Sequence, residues 1–201
     1  MINYSKYDEL IRKHHFDKLI NEFEIQFNNG ELDEEEKLYF GVILIHTGIY
    51  DFETAVKVFK SNKDNFESLI WAGFIYYFYH PDDSFFVEEL LNKEKNEISN
   101  YILGLYYLRE NQRDLACKYL KKAIEIKCFP KLLIAYSEDC FKHHYSKEKV
   151  KWFKKARQLI LDNDAKYDDI STLNEYYKLR WDEDILGIRL PHEDFKTIYE
   201  N

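Results

Sequence analysis

The stretch YILGLYYLRENQRDLACKYLKKAIEI, residues 101–126, decides the fold class of this chain. The apolar residues of its second half recur at the spacing of one helix face. They are Leu115, Ala116, Tyr119, Leu120, Ala123 and Ile124. In the first half, Gly104 is small enough for a neighbouring helix to approach to about 8–10 Å. The stretch therefore predicts two helices that pack against each other as a hairpin.

The same arrangement, a small residue followed three positions later by a large one, recurs along the chain. Gly41, Gly73 and Gly104 lie 32 and 31 residues apart, and a further step of 33 residues reaches Ser137. The sequence KWFKKARQLI closes this last unit, much as KYLKKAIEI closes the unit before it. A period of 31–33 residues predicts stacked helical hairpins.

The composition supports an all-α domain. With 45% hydrophobic and 17% aromatic residues among 201, the chain has enough apolar side chains for a buried core and a length typical of one domain. Six glycines and three prolines are too few for a protein of many β-hairpins or for a glycine-rich phosphate-binding loop, because both need frequent tight turns. Long helices are the remaining expectation.

The repeat predicts one domain over residues 1–201, built of three segments. A single hairpin cannot bury its apolar face alone, so the terminal units must act as caps. Residues 1–32 are predicted to form a capping hairpin, residues 33–161 the repeat units, and residues 162–201 a C-terminal helical cap. Within that cap we expect a helix over 168–181 and a short helix that begins at Pro191.

The best unit resembles the tetratricopeptide repeat and its relative, the Sel-one-like repeat. The residues that carry the resemblance are Leu103, Gly104, Tyr107, Ala116, Leu120, Ala123 and, displaced by two positions, Pro130. Residues 37–160 are covered unevenly, because Phe85 stands where one unit should have alanine and Ser137 replaces glycine in the last unit. The resemblance implies an all-α, right-handed α-solenoid with a concave groove.

The resemblance also implies which positions line that groove, namely three residues before the anchoring small residue and one, four and five residues after it. Those positions are Leu38, Val42, Ile45, His46, Ile70, Phe74, Tyr77, Phe78, Tyr101, Leu105, Leu108, Arg109, Ile134, Glu138, Phe141 and Lys142. The predicted partner-binding residues among them are His46, Tyr77, Phe78, Tyr101, Arg109, Glu138, Phe141 and Lys142. The alternative, that most of these side chains are ordinary core, stays open.

The chain contains no motif that indicates catalysis or a bound metal or cofactor. There is no HExxH, GxSxG, Walker-type or dinucleotide-binding sequence. The adjacent histidines at 14–15 and 143–144 point about 100° apart on a helix and cannot hold one ion together. Cys140 and His144 are better spaced, but a third ligand is missing. We therefore expect that the protein is not an enzyme and binds no cofactor. A metal-dependent hydrolase is an alternative.

The charges are distributed unevenly. Residues 111–160 contain 13 Lys/Arg and 5 Asp/Glu, whereas residues 162–201 contain 5 and 11. The basic run has Tyr119 and Trp152 interleaved, as in nucleic-acid-binding proteins. Its helical phase, however, places the aromatic residues on the packing face and the lysines on the opposite face. Nucleic-acid binding is therefore an alternative and not the preferred function.

The N-terminal sequence and the hydropathy predict a soluble cytoplasmic protein without a membrane segment. The three cysteines are odd in number and lack CxxC spacing, so we expect reduced, half-buried thiols and no disulfide. No window approaches the roughly 18 uncharged residues of a membrane span, and the N-terminus does not resemble a secretion signal.

Together these features predict non-catalytic protein binding through the concave face. The sharpest hypothesis is a bacterial immunity protein that captures and neutralises a cognate toxin. Its acidic ends would mimic a polyanion and suit a basic toxin or nuclease domain. A regulator or a secretion chaperone is the neighbouring hypothesis. A fold by itself does not determine function, so these hypotheses depend on the family resemblance.

Overall fold

The computed structural model describes residues 4–46, 51–79, 83–93, 95–141, 147–162 and 170–188. Within these ranges the chain forms helices and no strand, which confirms the all-α class. The helices are α1 (Tyr4–Arg12), α2 (Phe16–Asn29), α3 (Glu34–His46), α4 (Phe52–Ser61), α5 (Phe66–Tyr79), α6 (Phe86–Leu91), α7 (Glu97–Arg109), α8 (Arg113–Ile126), α9 (Pro130–Cys140), α10 (Lys147–Leu161) and α11 (Leu173–Arg180), followed by a π-helix (Trp181–Leu186). Among the described helices, none has both the length and the apolar character needed to cross a membrane.

The chain divides into two compact units. The first unit comprises Met1–Asn92 and Tyr167–Arg180, and the second comprises Lys93–Lys166 and Trp181–Asn201. The predicted helix over 168–181 is present as the shorter α11, which belongs to the first unit. The short helix predicted from Pro191 lies outside the described residues.

Successive helices of the first unit, α1 to α6, pack against one another. Helices α3 and α4 are in close contact at Gly41, where an added β-carbon would lie 2.4 Å from the ring of Phe59. Because Phe59 is fully buried, its ring has little room to move away. The small residue at this repeat position is therefore required by helix packing, as predicted.

Helix α11 packs against α1 and α3 in the first unit. The backbone N–H of Leu173 donates to Asp8 Oδ1 over 2.9 Å, and the rings of Tyr176 and Phe16 lie 5.5 Å apart. The hydrogen bond satisfies one of the four N–H groups that a helix N-terminus leaves unpaired. Residues more than 150 positions apart in the chain therefore hold α11 in place.

The second unit contains the hairpin predicted from residues 101–126. Helices α7 and α8 form it, and an added β-carbon on Gly104 would lie 2.6 Å from Leu120 Cδ2. The stacked rings of Tyr107 and Tyr119, 5.3 Å apart, fill the space beside this contact. Leu115 is predicted to lie on the buried apolar face of α8, but it is 37% exposed because it lies in the first turn of the helix.

The prediction of three reduced cysteines is wrong for two of them. Cys117 on α8 and Cys140 at the end of α9 form a disulfide, with their α-carbons 5.5 Å apart, whereas Cys128 is a free thiol. That separation lies in the usual range for a disulfide. Spacing along the chain did not reveal the pair because the two cysteines lie on different helices, which only packing brings together.

Candidate functional site

The first unit contains an open cavity of about 570 Å³, which we call the acidic cleft. Helix α3, the start of α5 and helix α11 form its walls. Its lining residues are Glu34, Glu35, Leu38, Tyr39, Asn65, Phe66, Glu67, Asn174 and Tyr177. Three carboxylates and no lysine or arginine occur among these residues, so the cleft suits a positively charged group.

Helix capping places the carboxylates at the rim of the cleft. At the start of α3, the Asp33 and Glu36 side chains each accept a hydrogen bond from the other residue's backbone N–H, over 2.9 and 3.0 Å. At the start of α5, Asn65 Oδ1 accepts from the Ser68 N–H over 3.0 Å. These caps place Glu34, Glu35 and Glu67 in first helical turns, where the helix dipole favours negative charge.

Two tyrosine hydroxyls orient two of these carboxylates. Tyr39 donates to Glu35 Oε1 over 2.6 Å, and Tyr177 of α11 donates to Glu67 Oε2 over 2.5 Å. Burial, followed by the charge of Glu67, raises the pKa of the Tyr177 hydroxyl, which therefore stays protonated as a donor. A carboxylate held this way loses little side-chain entropy on binding a cation.

The predicted site residue His46 lies beside α11 and is largely buried. Its ring centroid lies 5.7 Å from that of Trp71. Burial, with a smaller contribution from the charge of Arg180, lowers the pKa of His46 to about 3. The imidazole is therefore neutral near pH 7 and packs between helices. Leu38, one of the groove positions implied by the resemblance, does line the acidic cleft.

Tyr77 and Phe78, two further predicted site residues, lie side by side at the end of α5. Their ring centroids are 5.0 Å apart, and Phe78 is 51% exposed. The next residue, Tyr79, is 48% exposed and stacks on Phe52 with ring centroids 3.5 Å apart. We call these four rings the α5 aromatic cluster. Aromatic side chains of this kind commonly act as anchors in protein interfaces.

The remaining predicted site residues belong to the second unit and have different environments. Tyr101 is 3% exposed and packs edge-on against Phe129 at 5.1 Å, so it is a core residue. Arg109 and Glu138 are exposed on α7 and α9, and Phe141 is half-buried. Lys142 lies outside the described residues.

The basic helices of the second unit have the predicted phase. On α8, Tyr119 is buried and Lys121 is exposed. On α10, Trp152 is half-buried, and the ammonium groups of Lys151 and Lys155 lie 5.6 and 5.5 Å from its ring centroid. The lysines thus lie on the solvent side of both helices. In the described ranges, no group of three or more His, Cys, Asp or Glu residues is placed to hold a metal ion.

Sequence reasoning missed the contribution of α11 to the cleft. Glu67 and Tyr177 are 110 residues apart, and no local pattern connects them. The capping motifs at Asp33 and Asn65 were the available signal, because they place carboxylates in the first turns of α3 and α5. These are the first helices of two successive predicted hairpins.

Comparison with protein-family models, with curated proteins and with solved structures gives no match to this chain. The resemblance to tetratricopeptide repeats therefore depends on the residues quoted above, and the solenoid arrangement and its handedness stay predictions.

Proposed function

We propose that this protein is a non-catalytic binding protein whose partner is another protein that inserts a lysine or arginine side chain into the acidic cleft. The observation that carries the proposal is the set of three carboxylates around one open cavity, two of them oriented by tyrosine hydroxyls. Charge-assisted hydrogen bonds to an oriented carboxylate are about twice as strong as neutral ones.

The charge of the first unit supports a basic partner. Residues 1–92 and 167–180 contain 10 Lys/Arg and 21 Asp/Glu, which gives a net charge of −11. A surface of one sign accelerates the encounter with a partner of the opposite sign and disfavours partners of the same sign. Our specific hypothesis is an immunity protein that neutralises a basic toxin or nuclease domain.

The resemblance to tetratricopeptide repeats supports the same surface. It places partner contacts on the first helix of each hairpin, and the cleft is built on two such helices, α3 and α5. The exposed rings of Phe78 and Tyr79 at the far end of α5 offer apolar contacts in addition. In this proposal the cleft supplies charge recognition and the α5 aromatic cluster supplies buried apolar area.

The first test of this hypothesis uses a toxin whose gene lies next to the gene for this protein in the genome. Co-expression with that toxin should restore growth. A variant with both Glu35→Lys and Glu67→Lys should not restore it, even though it accumulates as a folded protein. Equal rescue by the variant and the wild type would contradict the role of the cleft.

The second test measures the affinity of this protein for that toxin by calorimetry. Glu35→Gln with Glu67→Gln should weaken binding at least tenfold, because it leaves partner cations without a counter-charge. The control is Glu53→Gln with Glu88→Gln, which removes the same charge from exposed positions on α4 and α6. The control should bind within twofold of wild type. Equal losses in both variants would show that only net charge matters and that the cleft is not the site.

A further inference from the structure

The second unit contains a separate cavity of about 320 Å³, which we call the second-unit cavity. The start of α7, the connection from α8 to α9, the end of α10 and the π-helix surround it. Ile98, Phe129, Pro130, Leu159, Trp181 and Leu186 supply apolar walls. Its volume equals that of about ten water molecules and lies at the lower end of the range for small-molecule sites.

Contacts outside the cavity hold its walls in place. Phe129 packs edge-on against the buried ring of Tyr101. The ammonium of Lys131, in the first turn of α9, donates to the backbone carbonyl of Asp184 over 2.6 Å and so ties the π-helix to α9. Gly187 lies so close to Lys131 that an added β-carbon would be 2.5 Å from Lys131 Cγ. A cavity braced in this way is largely formed before a ligand arrives.

Positive charge lies on one side of the cavity, next to Lys127 and Cys128. Lys127 lines it and is exposed to solvent. Cys128 also lines it, and the ammonium of Lys155 lies 3.3 Å from the Cys128 sulfur. Glu97 is the one carboxylate among the lining residues. Lys155 does not line the cavity, but its ammonium and that of Lys127 both lie on the side of Cys128. Positive charge on that side favours a ligand whose polar end is an anion.

We propose that the second-unit cavity binds a small carboxylate with an apolar body, whose hydrocarbon part packs among Phe129, Leu159 and Trp181 and whose carboxylate pairs with Lys127. This site is distinct from the acidic cleft of the first unit, and it adds a small-molecule ligand to a protein-binding function.

The test compares three probes that share one tail and differ in the head group, namely octanoate, octanol and octylammonium. Octanoate should bind saturably by calorimetry and raise the midpoint of thermal unfolding, because a ligand of the folded state stabilises it. Octylammonium should bind at least tenfold more weakly. Octylammonium binding as tight as octanoate, or no saturable octanoate binding at millimolar concentration, would overturn the proposal.

The free thiol of Cys128 can report whether octanoate binds in the second-unit cavity. In protein with the Cys117–Cys140 disulfide intact, Cys128 is the cysteine open to alkylation by N-ethylmaleimide. Saturating octanoate should slow that alkylation at least fivefold. An unchanged alkylation rate with octanoate bound would show that it binds elsewhere and would overturn the assignment.

A charge reversal tests the head-group contact. Lys127→Glu lies at an exposed position, so the variant should fold, and octanoate binding should weaken at least tenfold while octylammonium binding tightens. Lys118→Glu, at an exposed position on α8 that does not line the cavity, is the matched control and should leave octanoate binding within twofold of wild type. Equal octanoate affinity in both variants and the wild type would overturn the pairing with Lys127.

Discussion

The close approach of α7 and α8 at Gly104 predicts that Gly104→Ala destabilises the wild-type protein but stabilises a protein in which Leu120 is replaced by alanine. In the wild-type background, Gly104→Ala brings a β-carbon to 2.6 and 2.7 Å from Leu120 Cδ2 and Cγ. Forcing a methyl group into a packed core costs about 1–3 kcal/mol. Alanine gains about 1 kcal/mol over glycine inside a helix. The cost of the clash offsets the helical gain or exceeds it, so the substitution should lower the free energy of unfolding by up to about 2 kcal/mol.

In the Leu120→Ala background the clashing atoms are absent. Leu120 is fully buried, so its truncation alone should cost about 2–5 kcal/mol. On that background Gly104→Ala keeps its helical gain and fills part of the cavity, and should therefore raise the free energy of unfolding by about 1 kcal/mol. The double-mutant cycle should give a coupling energy of about 1–3 kcal/mol.

Urea denaturation followed by circular dichroism at 222 nm measures these four free energies, with equal m-values as the check that they are comparable. The control is Gly30→Ala, which meets no atom within 4 Å but has a φ of +72°. It should cost about 1 kcal/mol through backbone strain alone and add independently to Leu120→Ala. A stabilising Gly104→Ala in the wild type, or the same sign in both backgrounds, would refute the close approach of these helices.

Three further predictions concern the disulfide and two buried polar groups. Cys117 and Cys140 are 23 residues apart, so reducing their disulfide should lower the free energy of unfolding by about 3 kcal/mol in the chain-entropy model. If protein alkylated at extraction shows three free thiols, the disulfide is absent in the cell. His46 has a pKa of about 3 when folded and 6.5 when unfolded, so its contribution is fully present above pH 6.5 and is lost as the pH falls towards 3. Stability of the wild type should therefore fall by about 2–3 kcal/mol more than that of His46→Gln between pH 7 and 4.5, and parallel pH profiles would contradict this. Asn62→Ala should cost about 1–3 kcal/mol in urea denaturation, because the Asn62 amide donates to two acceptors over 2.8 and 2.9 Å, whereas a neutral result would show that these bonds add nothing.

The acidic cleft could be predicted only in part. The capping residues Asp33 and Asn65 mark where α3 and α5 begin, and helix-capping rules alone could place Glu34, Glu35 and Glu67 in first turns from them. The tyrosine that orients Glu67 comes from α11, and no rule of spacing brings Tyr177 to that position. Of the predicted site residues, Phe78 is exposed and Tyr101 is core, because the repeat pattern identifies a helix face without showing what covers it.

The sequence by itself determined the all-α class and the hairpin of α7 and α8, because helical periodicity and small residues at close contacts act between neighbours in the chain. The tertiary structure decided the disulfide, the position of α11 on α1 and α3, and both cavities. The position of α11 and the cavities depend on helices far apart in sequence, whereas the disulfide depends on how α8 packs against the next helix, α9. In each case the packing energy belongs to the helices together and is not encoded in either one alone.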